Sequence, residues 1–203
     1  MQSTPFSRRK FVQLAGLSSA GAVLAAVHGP AAAQAAGVRS VSNQPSAAEV
    51  QTIPMIAIEP IGSYDVERLN KILTTELADF SDYPVEYPPA RYPVDLYRVL
   101  YPSVIPEQDN RPTTASGLIA LPNLGGETPG KLPLVSYQHG TVYAKNEVPS
   151  DLENSMETRL MVAQFAGQGY ALIGADYFGR GQSPETDSYL VKGSTQQACL
   201  DML

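Results

Sequence analysis

The backbone N–H groups of one turn are the first feature of this sequence that could do chemistry. His139, Gly140 and Thr141 directly follow the apolar run of residues 132–137 (LPLVSY). Such a run, bounded by glycine, lysine and proline, predicts a strand buried on both faces of a sheet. Because open α/β sheets bind ligands at the carboxyl ends of their strands, this turn is a candidate site. Acyl transfer is one reaction that needs N–H donors at such a place.

A second turn of similar construction follows further along the chain. Residues 170–176 (YALIGAD) predict a buried strand that ends in the glycine-rich segment 177–183 (YFGRGQS). Between the two strands, residues 158–168 (TRLMVAQFAGQ) predict a crossover helix that ends at Gly169. The pattern is that of a βαβ unit with both turns at one edge.

The segments before this unit predict an antiparallel start to the sheet. Residues 94–101 and 114–121 each read as a strand, and the polar segment 103–112 is expected to join them as a hairpin loop. The predicted fold class is therefore α/β, with antiparallel first strands and then a parallel βαβ unit. The sheet is expected to end at the strand of residues 170–176.

Two further helices and the domain boundaries follow from spacing and composition. Residues 37–93 are expected to be an N-terminal extension, loose at first, with one amphipathic helix over 63–80. Residues 94–203 are expected to be one partial α/β domain. Ser194, with Gln197 three residues later, matches a capping box and predicts a helix that begins there.

Composition restricts the function. The chain has 203 residues, is 43% hydrophobic and carries a formal net charge of −6, so we expect an acidic globular protein without a nucleic-acid partner. Cys199 is the only cysteine, so an intramolecular disulfide is impossible. With only His28 and His139 in the sequence, a three-histidine metal site cannot be built. No metal and no cofactor is implied.

Residues 1–36 predict an export signal. Residues 7–13 (SRRKFVQ) resemble the twin-arginine motif, a weakly apolar run follows, and residues 31–35 (AAAQA) hold overlapping cleavage signals. The alternatives are a membrane anchor and a cytosolic amphipathic helix, but residues 14–27 are too short for a stable span, which needs ~20 residues. We expect export by the twin-arginine translocase to the periplasm or the extracellular space. His28 leaves with the signal.

The two turns together carry a resemblance to a known family. Residues 137–141 (YQHGT) and 169–183 (GYALIGADYFGRGQS) are similar to the α/β-hydrolase superfamily, most of all to its secreted lipases and esterases. The resemblance runs from about Val94 to Leu203. It implies an oxyanion donor after the third strand of that fold, at the N–H of Thr141 or of Gly140. It also implies that His139 orients the loop and is not the catalytic base.

The second turn is expected to be structural. Asp176 at the strand end is expected to accept N–H bonds from the turn that follows, where Gly179 and Gly181 permit positive φ. A role for Asp176 as general base is the weaker alternative, since no histidine is available to it. Arg180, Tyr143 and Tyr177 are expected either to line a pocket or to be solvated or packed.

The chain departs from the family in one large respect. No G-x-S-x-G motif occurs after residue 36, and Ser183 and Ser194 do not lie at a strand-to-helix elbow. We therefore expect the nucleophile, acid and base to lie beyond Leu203. On that expectation this chain is the N-terminal part of a hydrolase, incomplete, inactive and poorly folded by itself.

Two functions remain open at this point. The first is an exported serine hydrolase of small-molecule or lipid esters, and the alternative is a non-catalytic, exported α/β-hydrolase-like binding module. A G-x-S-x-G motif downstream of Leu203 would favour the first, and a stop codon the second. A dinucleotide-binding Rossmann fold is disfavoured, because no G-x-G-x-x-G follows either strand.

Overall fold

Five strands form one mixed sheet within residues 56–76, 85–126 and 130–203, which the computed structural model describes. They are β1 (Ala57–Tyr64), β2 (Val94–Ile105), β3 (Arg111–Pro122), β4 (Leu134–Tyr137) and β5 (Ala171–Ala175). Their order in the sheet is β1-β2-β3-β5-β4, and β4 and β5 are parallel whereas the other pairs are antiparallel. The predicted fold class is confirmed.

The predictions for the N-terminal segments lie outside the described residues. They concern the export signal of residues 1–36 and the loose segment of residues 37–53. The described residues all belong to one unit, Ile53–Leu203. Among them, no helix is long and apolar enough to cross a membrane.

Strand β4 is exposed, so the prediction that it is buried on both faces is wrong. Leu134 keeps 52% of its surface exposed, and Tyr137 is the one residue of β4 that is buried. The cause is the strand order: β5 lies between β3 and β4, which leaves β4 with a neighbour on one side only. Strand β5 is instead the interior strand of this pair, with four of its five residues buried. The expectation that the sheet ends at β5 is therefore also wrong.

The β2–β3 hairpin is longer than predicted. The two strands pair from Val94 opposite Pro122 to Ile105 opposite Arg111, so half of the expected loop is strand. Prolines are tolerated here because β1 pairs with β2 only as far as Leu100, and β5 pairs with β3 only from Gly117 onward. Pro102 and Pro112 therefore remove no bond from the ladders with β1 and β5.

Strand β1 and the first helix differ from the start of the helix predicted over residues 63–80, of which residues 77–80 lie outside the described part of the chain. Strand β1 extends to Tyr64, and Asp65 caps helix α1 (Val66–Lys71) by accepting the Arg68 N–H at 2.7 Å. A short π-helix (Ile72–Glu76) continues α1, and Leu69, Ile72 and Leu73 are buried, as the amphipathic pattern indicates. Pro60 and Gly62 obscure β1 in the sequence, and the pairing register shifts between them.

The crossover helix confirms the βαβ unit. Helix α2 (Met156–Gln164) begins after the N-cap Ser155, and a 3₁₀ turn (Ala166–Gln168) continues it. Gly169 ends the segment with φ 101°, a left-handed conformation that favours glycine.

The last helix does not begin with the predicted capping box. Helix α3 (Lys192–Leu200) has Val191 at its N-cap, without a side-chain cap. Ser194 instead donates its hydroxyl to Glu107 at 2.6 Å and its N–H to the same carboxylate at 3.1 Å. Gln197 donates to Asp201 at 2.8 Å. A carboxylate from the β2–β3 turn thus replaces the local cap.

The sheet separates two hydrophobic clusters. One cluster combines α1 and α2 with β2, β3 and β5, and its buried residues include Leu69, Val94, Leu118, Leu160 and Leu172. The other includes Val99, Tyr101, Ala115, Phe178 and Ala198 of α3. Because successive strand residues face opposite sides, Val94 and Val99 of β2 belong to different clusters. The helices therefore cover both faces, and the turns after β4 and β5 stay at the edge.

Candidate functional site

The two turns of interest lie side by side, as the βαβ unit predicts. The buried His139 ring stacks on the ring of Tyr177, with centroids 4.2 Å apart and planes 25° from parallel. His139 Nε2 lies 3.2 Å from the carbonyl oxygen of Asp176. The turn after β4 is thus anchored to the turn after β5.

Three of the four polar groups in the peptide units His139–Gly140 and Gly140–Thr141 lie within hydrogen-bond distance of another group. The Gly140 N–H donates to Glu157 Oε2 and Oε1 at 3.2 and 3.3 Å. The His139 carbonyl accepts from the Tyr177 hydroxyl at 3.3 Å, and the Gly140 carbonyl lies 2.9 Å from His139 Nδ1. Within the part of the chain that the structure describes, the Thr141 N–H has no hydrogen-bond partner.

Peptide geometry gives the free N–H its direction. The described residues contain no cis peptide bond, so C=O and N–H leave the Gly140–Thr141 peptide unit on opposite edges. Because the Gly140 carbonyl faces the His139 ring, the Thr141 N–H faces away from that ring.

A cavity of about 490 Å³ opens beside this turn. Its walls come from the turns after β4 and β5, from the segment before α3 and from the first turns of α3. Thirteen residues line it: His139, Gly140, Thr141, Val142, Tyr177, Arg180, Asp187, Ser188, Tyr189, Leu190, Lys192, Thr195 and Gln196. The walls are mainly apolar, which fits the apolar part of a small organic molecule.

The structure shows which of Arg180, Tyr143 and Tyr177 line a pocket. Arg180 is buried, lines the cavity, and donates to the Val142 carbonyl at 3.2 Å and to the Asp187 carboxylate. Its charge is therefore paired, and it links two walls of the cavity. Tyr177 lines the same cavity, whereas Tyr143 does not and is 68% exposed.

The Asp176 carboxylate is buried and accepts several hydrogen bonds, and its partners differ from those expected. Its carboxylate accepts the Ser116 and Ser150 hydroxyls, both at 2.6 Å, and the Ser150 N–H at 2.9 Å. None of these donors comes from the following turn, which is held indirectly because the Gln182 N–H donates to Ser116 Oγ at 2.9 Å. Burial raises the pKa of Asp176, although the bonds from Ser116 and Ser150 oppose that shift. His139 contacts the Asp176 main chain, not its carboxylate.

The glycine-rich turn has the backbone that the sequence predicts. Gly179 and Gly181 have φ of 81° and 53°. At Gly181 a Cβ would lie 2.1 Å from Asp176 Oδ2, so only glycine fits against the carboxylate. Tyr177 shares the left-handed conformation with φ 67°, which is uncommon for a residue with a Cβ. This conformation accompanies its stacking on His139.

Three residues of this chain with potentially nucleophilic side chains lie away from the cavity. Ser183 and Ser194 are buried, and neither lines the cavity. Cys199 also lies outside it, and burial raises the pKa of its thiol. Sequence reasoning missed Glu157, which precedes the predicted crossover helix by one residue and lies in the first turn of α2. A serine N-cap two residues earlier is the signal that could have placed it.

Comparison with solved structures shows the fold. The chain is 27% identical to a candidate hydrolase from Legionella pneumophila, with a TM-score of 0.58 over 72% of this chain and 36% of the other. It is 24% identical to the rice cell wall degrading esterase LipA from Xanthomonas oryzae, with a TM-score of 0.57 over 72% of this chain and 34% of that one. No family model and no curated protein matches the chain.

These likenesses place the chain in a structural class. The described sheet has an α/β-hydrolase-like fold. The chain spans about a third of the length of the solved structures that it matches, 36% in one case and 34% in the other.

Proposed function

We propose that this chain is part of an exported serine hydrolase that acts on carboxylic esters. The observation that carries the proposal is that Thr141 lines a mainly apolar cavity and that its N–H has no hydrogen-bond partner among the described residues. An N–H held in place by a rigid turn is what an acyl-transfer site needs to stabilise the oxyanion of a tetrahedral intermediate. The likeness to a LipA described as an esterase supports esters as the substrate class.

In this proposal the reaction follows the usual order of a serine hydrolase. A serine beyond Leu203 attacks the ester carbonyl while a histidine, also beyond Leu203, takes its proton. The carbonyl oxygen becomes an oxyanion that accepts from the Thr141 N–H. The oxyanion then collapses, the histidine returns the proton to the leaving alcohol, and water releases the acid from the acyl-enzyme.

Ester turnover is the direct test of the proposal. The protein translated from its complete reading frame should hydrolyse p-nitrophenyl esters, and a fluorophosphonate that labels active-site serines should stop it. Esters from acetate to octanoate should be compared, because the cavity walls are mainly apolar. Binding of the esters without turnover would favour the non-catalytic module, and neither binding nor turnover would refute both functions.

We further propose export by the twin-arginine pathway, on the basis of Arg8 and Arg9 before a weakly apolar run. A pathway for folded proteins suits a chain whose single cysteine needs no oxidative pairing. Replacing both arginines by lysine should leave the precursor in the cytoplasm, as fractionation and immunoblotting would show. Lys10→Arg, which keeps the arginine pair, is the matched control. Normal processing of the double variant would show that the route is a different one.

A further inference from the structure

Glu157 holds the turn after β4 from the side of helix α2. Its carboxylate accepts the Gly140 N–H with both oxygens, at 3.2 and 3.3 Å, across 17 residues of sequence. The other contacts of the turn come from the β5 side, through the Asp176 carbonyl and the Tyr177 hydroxyl. Glu157 does not line the cavity. The Gly140 N–H is therefore bound to a residue of helix α2 and is not directed to a molecule in the cavity.

The first turn of α2 is itself firmly held. Ser155 Oγ lies 2.7 Å from Thr158 Oγ1, and the side chain of Ser155 caps the helix. Arg159 donates to the carbonyls of Leu152 and Glu153 at 2.6 and 2.9 Å. A carboxylate on such a support can fix the orientation of the turn that it binds.

The two neighbouring N–H groups are thus in different states. The Gly140 N–H donates to both oxygens of a carboxylate, whereas the Thr141 N–H has no partner within the described part of the chain. Because the two peptide planes are adjacent, releasing the first would let the turn rotate and would move the second.

We propose that Glu157 is a positioning residue that selects the oxyanion donor: it retains the Gly140 N–H and thereby directs the Thr141 N–H to the reacting carbonyl oxygen. The proposal rests on the proposed hydrolase function. Glu157 acts through the turn and does not touch the substrate.

Turnover of the protein from its complete reading frame is the first test. Glu157→Ala should lower kcat by on the order of 10- to 100-fold, because displacing a reacting group by about 1 Å costs that much. KM should stay within about twofold, since the lost interaction forms only in the transition state. Glu157→Gln keeps an acceptor and should restore most of kcat. Glu157→Asp, which is too short to reach Gly140, should resemble the alanine variant.

Glu153→Ala is the matched control, since Glu153 is exposed, lies four residues away, and interacts through its main chain. It should leave kcat unchanged. Equal kcat in the wild type and in folded Glu157→Ala and Glu157→Asp would overturn the proposal. An equal loss of kcat in the three Glu157 variants and in Glu153→Ala would also overturn it, because the loss would then not depend on the hydrogen-bond acceptor at residue 157.

Amide exchange tests the same idea without any turnover. NMR should show slow exchange of the Gly140 amide in the wild type and in Glu157→Gln, and faster exchange in Glu157→Ala. The Thr141 amide should exchange fast in all of them. If the wild type hydrolyses no ester but the Gly140 amide behaves in this way, the proposed function fails while the contact stands. An unprotected Gly140 amide in the wild type overturns the positioning role itself.

Discussion

Replacing Thr141 by proline should lower kcat for ester hydrolysis by about 10²–10³-fold, because it removes an N–H that has no partner among the described residues and that is proposed to bind the oxyanion. That loss corresponds to about 3–4 kcal/mol of transition-state stabilisation. The ground-state ester makes little use of this donor, so KM should change far less than kcat. Steady-state kinetics on the protein from its complete reading frame would measure both constants.

Thr141→Ala is the control for this prediction. It keeps the N–H, and it removes a side chain for which the described residues provide no hydrogen-bond partner. Its kcat should stay within a few fold of the wild type. A trifluoromethyl ketone, which forms a tetrahedral adduct, should lose affinity for the proline variant in parallel with kcat. Similar, near-normal turnover in both folded variants would remove Thr141 from the site.

Replacing Asp176 by alanine should lower the free energy of unfolding by about 3 kcal/mol or more. Three donors, from Ser116 and Ser150, lose their buried acceptor, and each costs about 1–3 kcal/mol when left unsatisfied. Relief of the buried charge offsets part of this loss. Urea unfolding followed by circular dichroism would measure the change. Asp95→Ala, which loses one exposed bond from Asn123, should cost less than about 1 kcal/mol.

The raised pKa of Asp176 also predicts that the stability of the protein depends on pH. Burial raises the pKa of Asp176 in the folded protein above its ordinary value of 3.8. Between the unfolded and the folded pKa, the folded state binds more protons, so the free energy of unfolding contributed by Asp176 falls as pH rises through that window. Asp176→Asn removes this contribution. The difference in unfolding free energy between wild type and variant should therefore decrease as pH rises above about 4. If this difference in unfolding free energy stayed constant with pH, it would contradict the raised pKa of Asp176.

Some features of this protein are determined by local sequence and were predicted from it. The βαβ unit, its crossover helix and its adjacent turns follow from apolar runs and breakers that act within about ten residues. The positive φ of Gly169, Gly179 and Gly181 has the same local origin, since glycine enters that conformation without steric cost. The α/β class and the placement of His139, Gly140 and Thr141 at a strand end therefore follow from the amino-acid sequence alone.

Other features are decided by partners that are distant in the chain. Ser194 binds Glu107, 87 residues earlier, in place of a local cap, and Asp176 binds Ser116, 60 residues earlier, in place of its own turn. Strand β5 rather than β4 is the interior strand because it pairs with β3, and no local pattern in the sequence specifies that choice. That the Gly140 N–H is already bound was also beyond the sequence, because the bond depends on Glu157, 17 residues further along the chain, reaching Gly140 from helix α2. Local signals specify which residues form an element, whereas long-range contacts alone specify what each buried polar group can bind.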